Sequence, residues 1–438
     1  MSAIADERVV EDAPVSGEQR FVFLGMPDVH GALRGKALTH REFQSVVRRG
    51  QANMTDLLLA LDPVDEPITD YTTLGLRSGA TDLTVVPDVD TLRPMAWRPG
   101  WQLCLATPLW SDGTLCDLGS RNVLRRTLDA LAELGLEAMA SFEFEVRIRD
   151  AADDAPLCNP VSYSLGELAP FERMAEALQR ALDALGVELS AVHTEAGPGL
   201  LEINLGASRG IKAADDAVLV KTAVKDVARS LGLRASFLAK TDPAQEGSSG
   251  HLHLSLWDGG SNVFSDGMDG PMAFAVAGAL EHMAAASVLY NPNINSYKRL
   301  VPGFFAPVNT TWGEQNRSAA VRVITAGSPS AARIELRRPG ADINPYLALA
   351  GAVGSVVLGL RDQRRPPALV TGDATESEAA PLPGSLESAI DAFTKDRALR
   401  DMLGAGFSDY YETSRRWELR AWQRAVSDWE RDRYESVV

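Results

Sequence analysis

The chain has 438 residues, 45% of them hydrophobic and 23% charged. That is an ordinary globular composition with room for two or more domains, so nothing argues for disulfide or metal staples. A formal net charge of -16 and a pI near 4.9 count against nucleic acid, whose phosphates are bound through excess Lys and Arg. Cys104, Cys116 and Cys158 have no zinc-binding spacing and their odd number makes no disulfide framework, so a reducing, cytoplasmic setting is expected. The N-terminal segment carries Asp6, Glu7, Glu11 and Asp12 without an apolar run, unlike a signal peptide. No apolar stretch approaches the ~20 residues of a membrane span.

In chain order, residues 1–18 read as a disordered acidic tail. Short strands and turns follow from Phe21 to Pro94, with a turn near Asp28 and Gly31, and predict a small mixed domain. After a turn-rich junction at 108–117, helical periodicity predicts a helix over 121–134 with Ser120 as its N-cap. Further helices are predicted over 170–185, 213–232, 270–289, 345–360, 386–396 and 408–434. The last carries Trp417, Trp422 and Trp429 at helical spacing, expected to serve core or subunit packing. Residues 364–385, rich in Pro, Gly, Ala and Glu, predict a surface loop, and there is no internal repeat.

Alternation identifies the chemistry. Residues two apart on a strand share a face, and around 140–148 one face is Ser141, Glu143, Glu145 and Arg147 while the other is Phe142, Phe144, Val146 and Ile148. The pattern recurs at His193 and Glu195, at Glu202 and Asn204, at His251, His253 and Ser255, and at Arg333, Glu335 and Arg337. A solvated edge strand explains any one of these. Their repetition, with Glu, His and Arg instead of Lys, Thr and Ser, predicts that the polar faces converge on a common cavity where the carboxylates need cations. An oxygen-rich donor set favours Mg2+ or Mn2+ over Zn2+. Arg299, Arg317, Arg322, Arg333 and Arg337 offer forks of donors for anionic oxygens. Metals beside arginines suit phosphoryl transfer from ATP. There is no Walker loop, since the glycines at Gly247 and Gly250 lack the following Lys.

With these residues assembled, the chain resembles the glutamine synthetase family, and more closely its branch of γ-glutamyl-polyamine and γ-glutamyl-monoamine synthetases. The likeness spans residue 20 to the C-terminus. Its specific motifs are Asn-Ser-Tyr-Lys-Arg-Leu-Val-Pro-Gly at 295–303, His-Leu-His-Leu-Ser-Leu at 251–256 and Arg-Ile-Glu-Leu-Arg at 333–337. The resemblance implies an α+β fold: a small N-terminal β-grasp domain at 19–112, then a catalytic domain at 113–438 with a curved antiparallel sheet flanked by helices. It also implies a homo-oligomer, a dodecamer of two stacked hexamers with active sites shared between subunits. Residues 28–36 then read as a β-grasp hairpin and 50–56 as the segment reaching into the neighbouring site.

By the same resemblance, Glu145, Glu195 and Glu202 hold a metal beside the substrate carboxylate, and Glu143, His251 and Glu335 one beside the ATP phosphates, within a total of two or three ions. Arg299 and Arg337 hold L-glutamate, with Gly247 opening the loop that contacts it. Arg317, Arg322 and Arg333 contact phosphate, while His253 and Ser255 contact nucleotide. Arg299, Arg317 and Glu195 are the catalytic candidates, and Glu195 is the candidate base, although a role as metal ligand alone fits it as well.

The departures from the family pattern bear on substrate. Ammonia users carry a flap glutamate where this chain has Phe305, and their Asp-, Gly- and Ser-rich neighbour loop has no clear counterpart at 51–56. Leu200 and Glu246 replace the usual Gln and Asn, and residues 364–385 contain no tyrosine for adenylylation. The expectation is an ATP-dependent ligase joining glutamate to a primary amine larger than ammonia. The alternatives are a true glutamine synthetase, a guanidino-kinase-like phosphotransferase and a non-catalytic ring scaffold. Phe304, Phe305, Met54 and Trp312 favour an amine with an apolar body, whereas Asp56, Asp62 and Asp65 would suit a distal ammonium.

Overall fold

The computed structural model describes residues 19–158, 161–303, 305–325 and 327–438. The expected tail at 1–18 and Phe304 lie outside them. The N-terminal part is a five-stranded sheet in the order β2-β1-β5-β4-β3, formed by β1 (Phe21–Pro27), β2 (Leu33–Thr39), β3 (Ala52–Thr55), β4 (Asp82–Pro94) and β5 (Trp101–Leu109). β1 and β5 run parallel and the other pairs antiparallel, with the helix His40–Arg49 connecting β2 to β3. Apolar alternation buries Val22 and Leu24 of β1 with Leu83 and Val85 of β4.

The larger sheet has the main order β13-β14-β15-β11-β6-β8-β7. Its strands are β6 (Glu137–Asp150), β7 (Leu189–Thr194), β8 (Leu200–Leu205), β9 (Ser208–Arg209), β10 (Leu233–Ser236), β11 (Gly250–Asp258), β12 (Ser261–Asn262), β13 (Trp312–Glu314), β14 (Val321–Ile324) and β15 (Arg333–Leu336). β9 and β10 pair with β6, and β12 pairs with β11. All pairs are antiparallel except β13–β14. Phe142, Phe144, Val146 and Ile148 are fully buried on one side of β6. They join a core that includes Val220 and Val224 of the helix Ile211–Ser230.

Asn344 couples the two parts. Its Nδ2 donates to the Asp28 and Val29 carbonyls and to Ser120 Oγ, while its Oδ1 accepts from Tyr346 N at 3.0 Å and caps the helix Pro345–Asp362. Arg121 adds a buried bidentate pair with Asp215 and a 2.8 Å pair with Asp88. Ser120 is therefore not the N-cap expected of its helix, which runs Ser120–Ala132 from Gly119. Its hydroxyl is spent on the Asp28 carbonyl at 2.9 Å.

Other helices depart from the predicted bounds for identifiable reasons. The apolar run at 270–289 forms two helices, Pro271–Glu281 and Met283–Tyr290, bent by 73°. His282 stands at the break, and its Nδ1 lies 2.7 Å from Asp396 Oδ2. The helix predicted over 408–434 divides into Ala405–Arg424 and Asp428–Tyr434, and a separate short helix, Arg397–Leu403, precedes it. Trp417 packs against the core, but Trp422 and Trp429 are 53% and 61% exposed, so they are not core in this chain. No single helix among the described residues is long and apolar enough to cross a membrane.

Candidate active site

Strand register brings together residues that are distant in sequence. His251 lies opposite Glu143, His253 opposite Glu335, Arg322 opposite Glu335, and Glu202 opposite both Glu145 and His193. Their polar faces line a cavity of about 570 Å³ containing Glu143, Glu145, Glu195, Glu202, His251 and Glu335. Arg317, Arg322 and Arg337 line the same cavity, together with Gly247 and Phe305. The expected convergence is thus observed. A neighbouring cavity of about 330 Å³ collects Ser255, His253 and Arg333, with Glu143 on the shared wall.

Among the described residues two donor groups are compact enough for a cation: Glu143, His253 and Glu335, and His193, Glu195 and Glu202, each offering atoms within 4.8 Å of one another. In the first group His253 Nε2 lies 3.0 Å from Glu143 Oε1. His251 Nδ1 stands beside the same group, 3.6 Å from Glu143 and 3.7 Å from Glu335, while its buried Nε2 has no hydrogen-bond partner among the described residues. Burial would raise the Glu143 carboxyl, but the two imidazoles beside it hold it well below the usual range. Burial acts the same way on Glu335, and Arg337 with the imidazoles brings it down to about 2.

The second group carries an excess of negative charge. Burial and the nearby Glu202 push Glu145 up to about 8, although Ser249 N donates to its Oε2 at 2.7 Å. Burial and Glu202 also raise Glu195. Clustered carboxylates strained in this way fit a divalent ion, which would remove the repulsion.

The arginines divide by position. Arg322 donates to Glu335 Oε2 at 2.9 Å, Arg337 donates to its Oε1, and Arg333 Nε donates to His253 Nδ1 at 3.1 Å. Arg317 is exposed at the rim. Arg299 does not line the cavity. It is buried behind the floor, donating to Ser249 Oγ at 3.2 Å and to the Arg338 carbonyl at 2.5 Å. Gly247 is required by that packing, because a Cβ there would lie 2.2 Å from Arg299 Cγ and 2.7 Å from the Ala239 carbonyl. Gly247→Ala is expected to displace the loop and lower kcat/KM for the anionic substrate roughly 10- to 100-fold. Steady-state kinetics check this, with a thermal melt to separate misfolding.

Phe305 holds φ 50°, a left-handed conformation rarely adopted by a bulky residue, and is 63% exposed. Such strain, of order 1–3 kcal/mol, tends to persist at functional sites. Met54 and Trp312 are buried elsewhere and do not line the cavity.

Three contributors were not assigned from sequence. His193, two residues from Glu195 on the same face, bridges Glu195 at 3.3 Å and Glu202 at 3.2 Å, and the alternation already visible there was its signal. Tyr163 stacks on His193 with ring centroids 4.3 Å apart, from a loop with no periodicity to announce it. Arg147 ties two loops together by donating to the Pro198 and Glu246 carbonyls.

The catalytic-domain model of glutamine synthetase matches residues 117–434. Glutamate–isopropylamine ligase of a Pseudomonas species is 32% identical, the alignment covering 95% of each chain. Gamma-glutamylethanolamide synthetase GlnA4 of Streptomyces coelicolor is 32% identical over 95% of this chain and 92% of its own. Type-1 glutamine synthetase 2 of Dictyostelium discoideum is 29% identical over 99% and 87%. The solved GmaS/ADP complex superposes with a TM-score of 0.83 at 26% identity, covering 96% of this chain and 97% of that one. Fold, site and matches define a ligase of the ATP- and divalent-metal-using type. The chain belongs to the glutamine synthetase family, and its matches include the amine-ligating branch.

Proposed function

We propose that the protein joins the γ-carboxylate of L-glutamate to a primary amine larger than ammonia. The carboxylate oxygen takes the terminal phosphoryl group of ATP, giving γ-glutamyl phosphate and ADP. The amine nitrogen then attacks the acyl carbon, the carbon–oxygen bond to phosphate breaks, and the amine loses a proton. Phe305 carries the reading: an aromatic ring lines the carboxylate cavity at the flap position where ammonia users have a glutamate. It offers bulk and apolar contact where a small cation needs negative charge.

Glu145, Glu195 and Glu202 would hold one Mg2+ or Mn2+, and Glu143, Glu335 and His251 another, with His253 near enough to share the second. These ions would neutralise charge on the transferring phosphoryl group. Arg317, Arg322 and Arg333 would contact phosphate, Arg337 the glutamate, and Ser255 with His253 the nucleotide. Arg299 would act from behind, fixing Ser249 and the glutamate loop. Glu195, 3.3 Å from His193, is the candidate to take the amine proton. The two separate sheets support domains at 19–112 and 113–438, exposed Trp422 and Trp429 suit a subunit contact in a ring assembly, proposed as a dodecamer, and the proposed setting is the cytoplasm.

Glutamine synthetases among the relatives keep ammonia as the second reading. Phosphate release with glutamate and ATP, compared between ammonium and a panel of primary amines, separates the two. Ammonium turned over as well as any amine overturns the proposal. Mass spectrometry of the product distinguishes an amide from a phosphagen or from no product.

A further inference from the structure

The carboxylate cavity does not end at Phe305. That residue and Arg317 also line a second cavity of about 330 Å³, bounded farther out by Asn316, Ser318, Asp373 and Thr375. The volume is within the range of small-ligand sites. A molecule with one end among the carboxylates would reach this cavity by passing along the exposed ring of Phe305.

The far wall is held firmly although it belongs to the predicted surface loop. Asn316 Nδ2 donates to the carbonyls of Val370 and Gly372 at 3.2 and 2.9 Å, and Ala374 N donates to Ser318 Oγ at 2.8 Å. These bonds strap the loop to the segment carrying Arg317. Within it, Asp373 caps a short turn: its Oδ1 accepts from Thr375 N at 2.9 Å and from Thr375 Oγ1 at 2.8 Å. The two bonds use one carboxylate oxygen and stabilise the ionised form. Among the described residues no ion pair to Asp373 is formed, in contrast to the paired carboxylates of the main cavity.

An anchored anion that forms no ion pair among the described residues, beyond an aromatic ring that borders the reacting site, selects for a ligand with positive charge at its far end and methylenes between, while the Arg317 guanidinium on the shared wall is the group assigned to phosphate. We infer that Asp373 is a specificity-determining residue that receives the distal ammonium of an α,ω-diamine, whose other amine is the one joined to glutamate. The inference rests on the amine-ligase reading and gives it a substrate class.

The carboxylates first considered for this role do not line these cavities within the chain. Asp62 Oδ1 accepts from Val64 N and Glu66 N, Asp65 pairs with Arg34 at 2.6 Å, and buried Asp56 accepts from Ser78 and Thr81 hydroxyls. Asp373 alone among these four lines a cavity that shares its wall with the carboxylate site.

The test compares 1,4-diaminobutane with n-butylamine, which differ only in the distal amine, in phosphate release at saturating ATP and glutamate. Asp373→Asn keeps a good capping side chain while removing the charge. The expected result is a kcat/KM ratio of diamine to monoamine that falls about two- to fivefold in the variant, through KM for the diamine, as suits an exposed ion pair. Raised salt should reduce the same ratio in the parent enzyme. A ratio unchanged by the substitution, or an equal loss with both amines, overturns the assignment of Asp373 while leaving the ligase reading intact. Failure of both amines to support phosphate release overturns that reading and this inference together.

Discussion

Replacing Glu335 by alanine is expected to reduce ATP-dependent phosphate release by at least about 100-fold and to destabilise the fold by roughly 3–5 kcal/mol. Glu335 is 0% exposed, accepts from Arg322 and Arg337 on different oxygens, and faces His251. Removing it leaves two guanidinium groups close together without their counter-charge. Burying a carboxylate is costly by itself, but Arg337 and the two imidazoles offset that cost and hold the carboxyl low. The alanine variant therefore mixes folding with function. Glu335→Gln separates them, because it keeps the volume and one acceptor oxygen while losing the charge. It is expected to remain folded by thermal melt, yet to lose both turnover and Mn2+ affinity measured by titration. Turnover within threefold of the parent would count against Glu335 as a metal ligand. Glu143→Ala should lower turnover similarly, since Glu143 links both imidazoles.

That site was legible in outline because alternation is a local property. Phe142, Phe144 and Val146 against Glu143 and Glu145 reveal a two-faced strand without any knowledge of its neighbours. The pairing partners are not local, and register decides them. Nothing near Glu335 announces that Arg322 will lie opposite it on β14, or that His193 will sit against Glu202 on β8. Arg299 illustrates the same limit. A family motif identifies it, but only packing reveals that its guanidinium is committed behind the cavity floor. The break in the apolar run at 270–289 has a tertiary cause too. Its apolar sequence runs on through the bend, and the group engaging His282 at the break is Asp396, 114 residues away. The small N-terminal sheet and the division into α and β segments were accessible because turns and strand alternation mark them directly.

Changing Phe305 to glutamate is expected to raise the kcat/KM for ammonium relative to amines by at least tenfold, about 1.4 kcal/mol. The site makes this a clean exchange. Phe305 is 63% exposed, so the substitution opens no core cavity. Its φ of 50° is unfavourable for any residue bearing a Cβ, so both side chains carry comparable backbone strain. What changes is local charge and shape. At an effective dielectric near 20, a carboxylate ~4 Å from an ammonium contributes about 4 kcal/mol before side-chain ordering and salt reduce it, so a tenfold preference is a modest demand. Phe305→Gln controls for lost bulk: if bulk alone excludes ammonia, both variants should shift equally, and if charge recruits it, only glutamate should. An unchanged ratio in the glutamate variant would mean that the flap does not set selectivity. The ring would then act as packing for the closed site, and the amine preference would have to come from the cavity beyond it, where Asp373 stands.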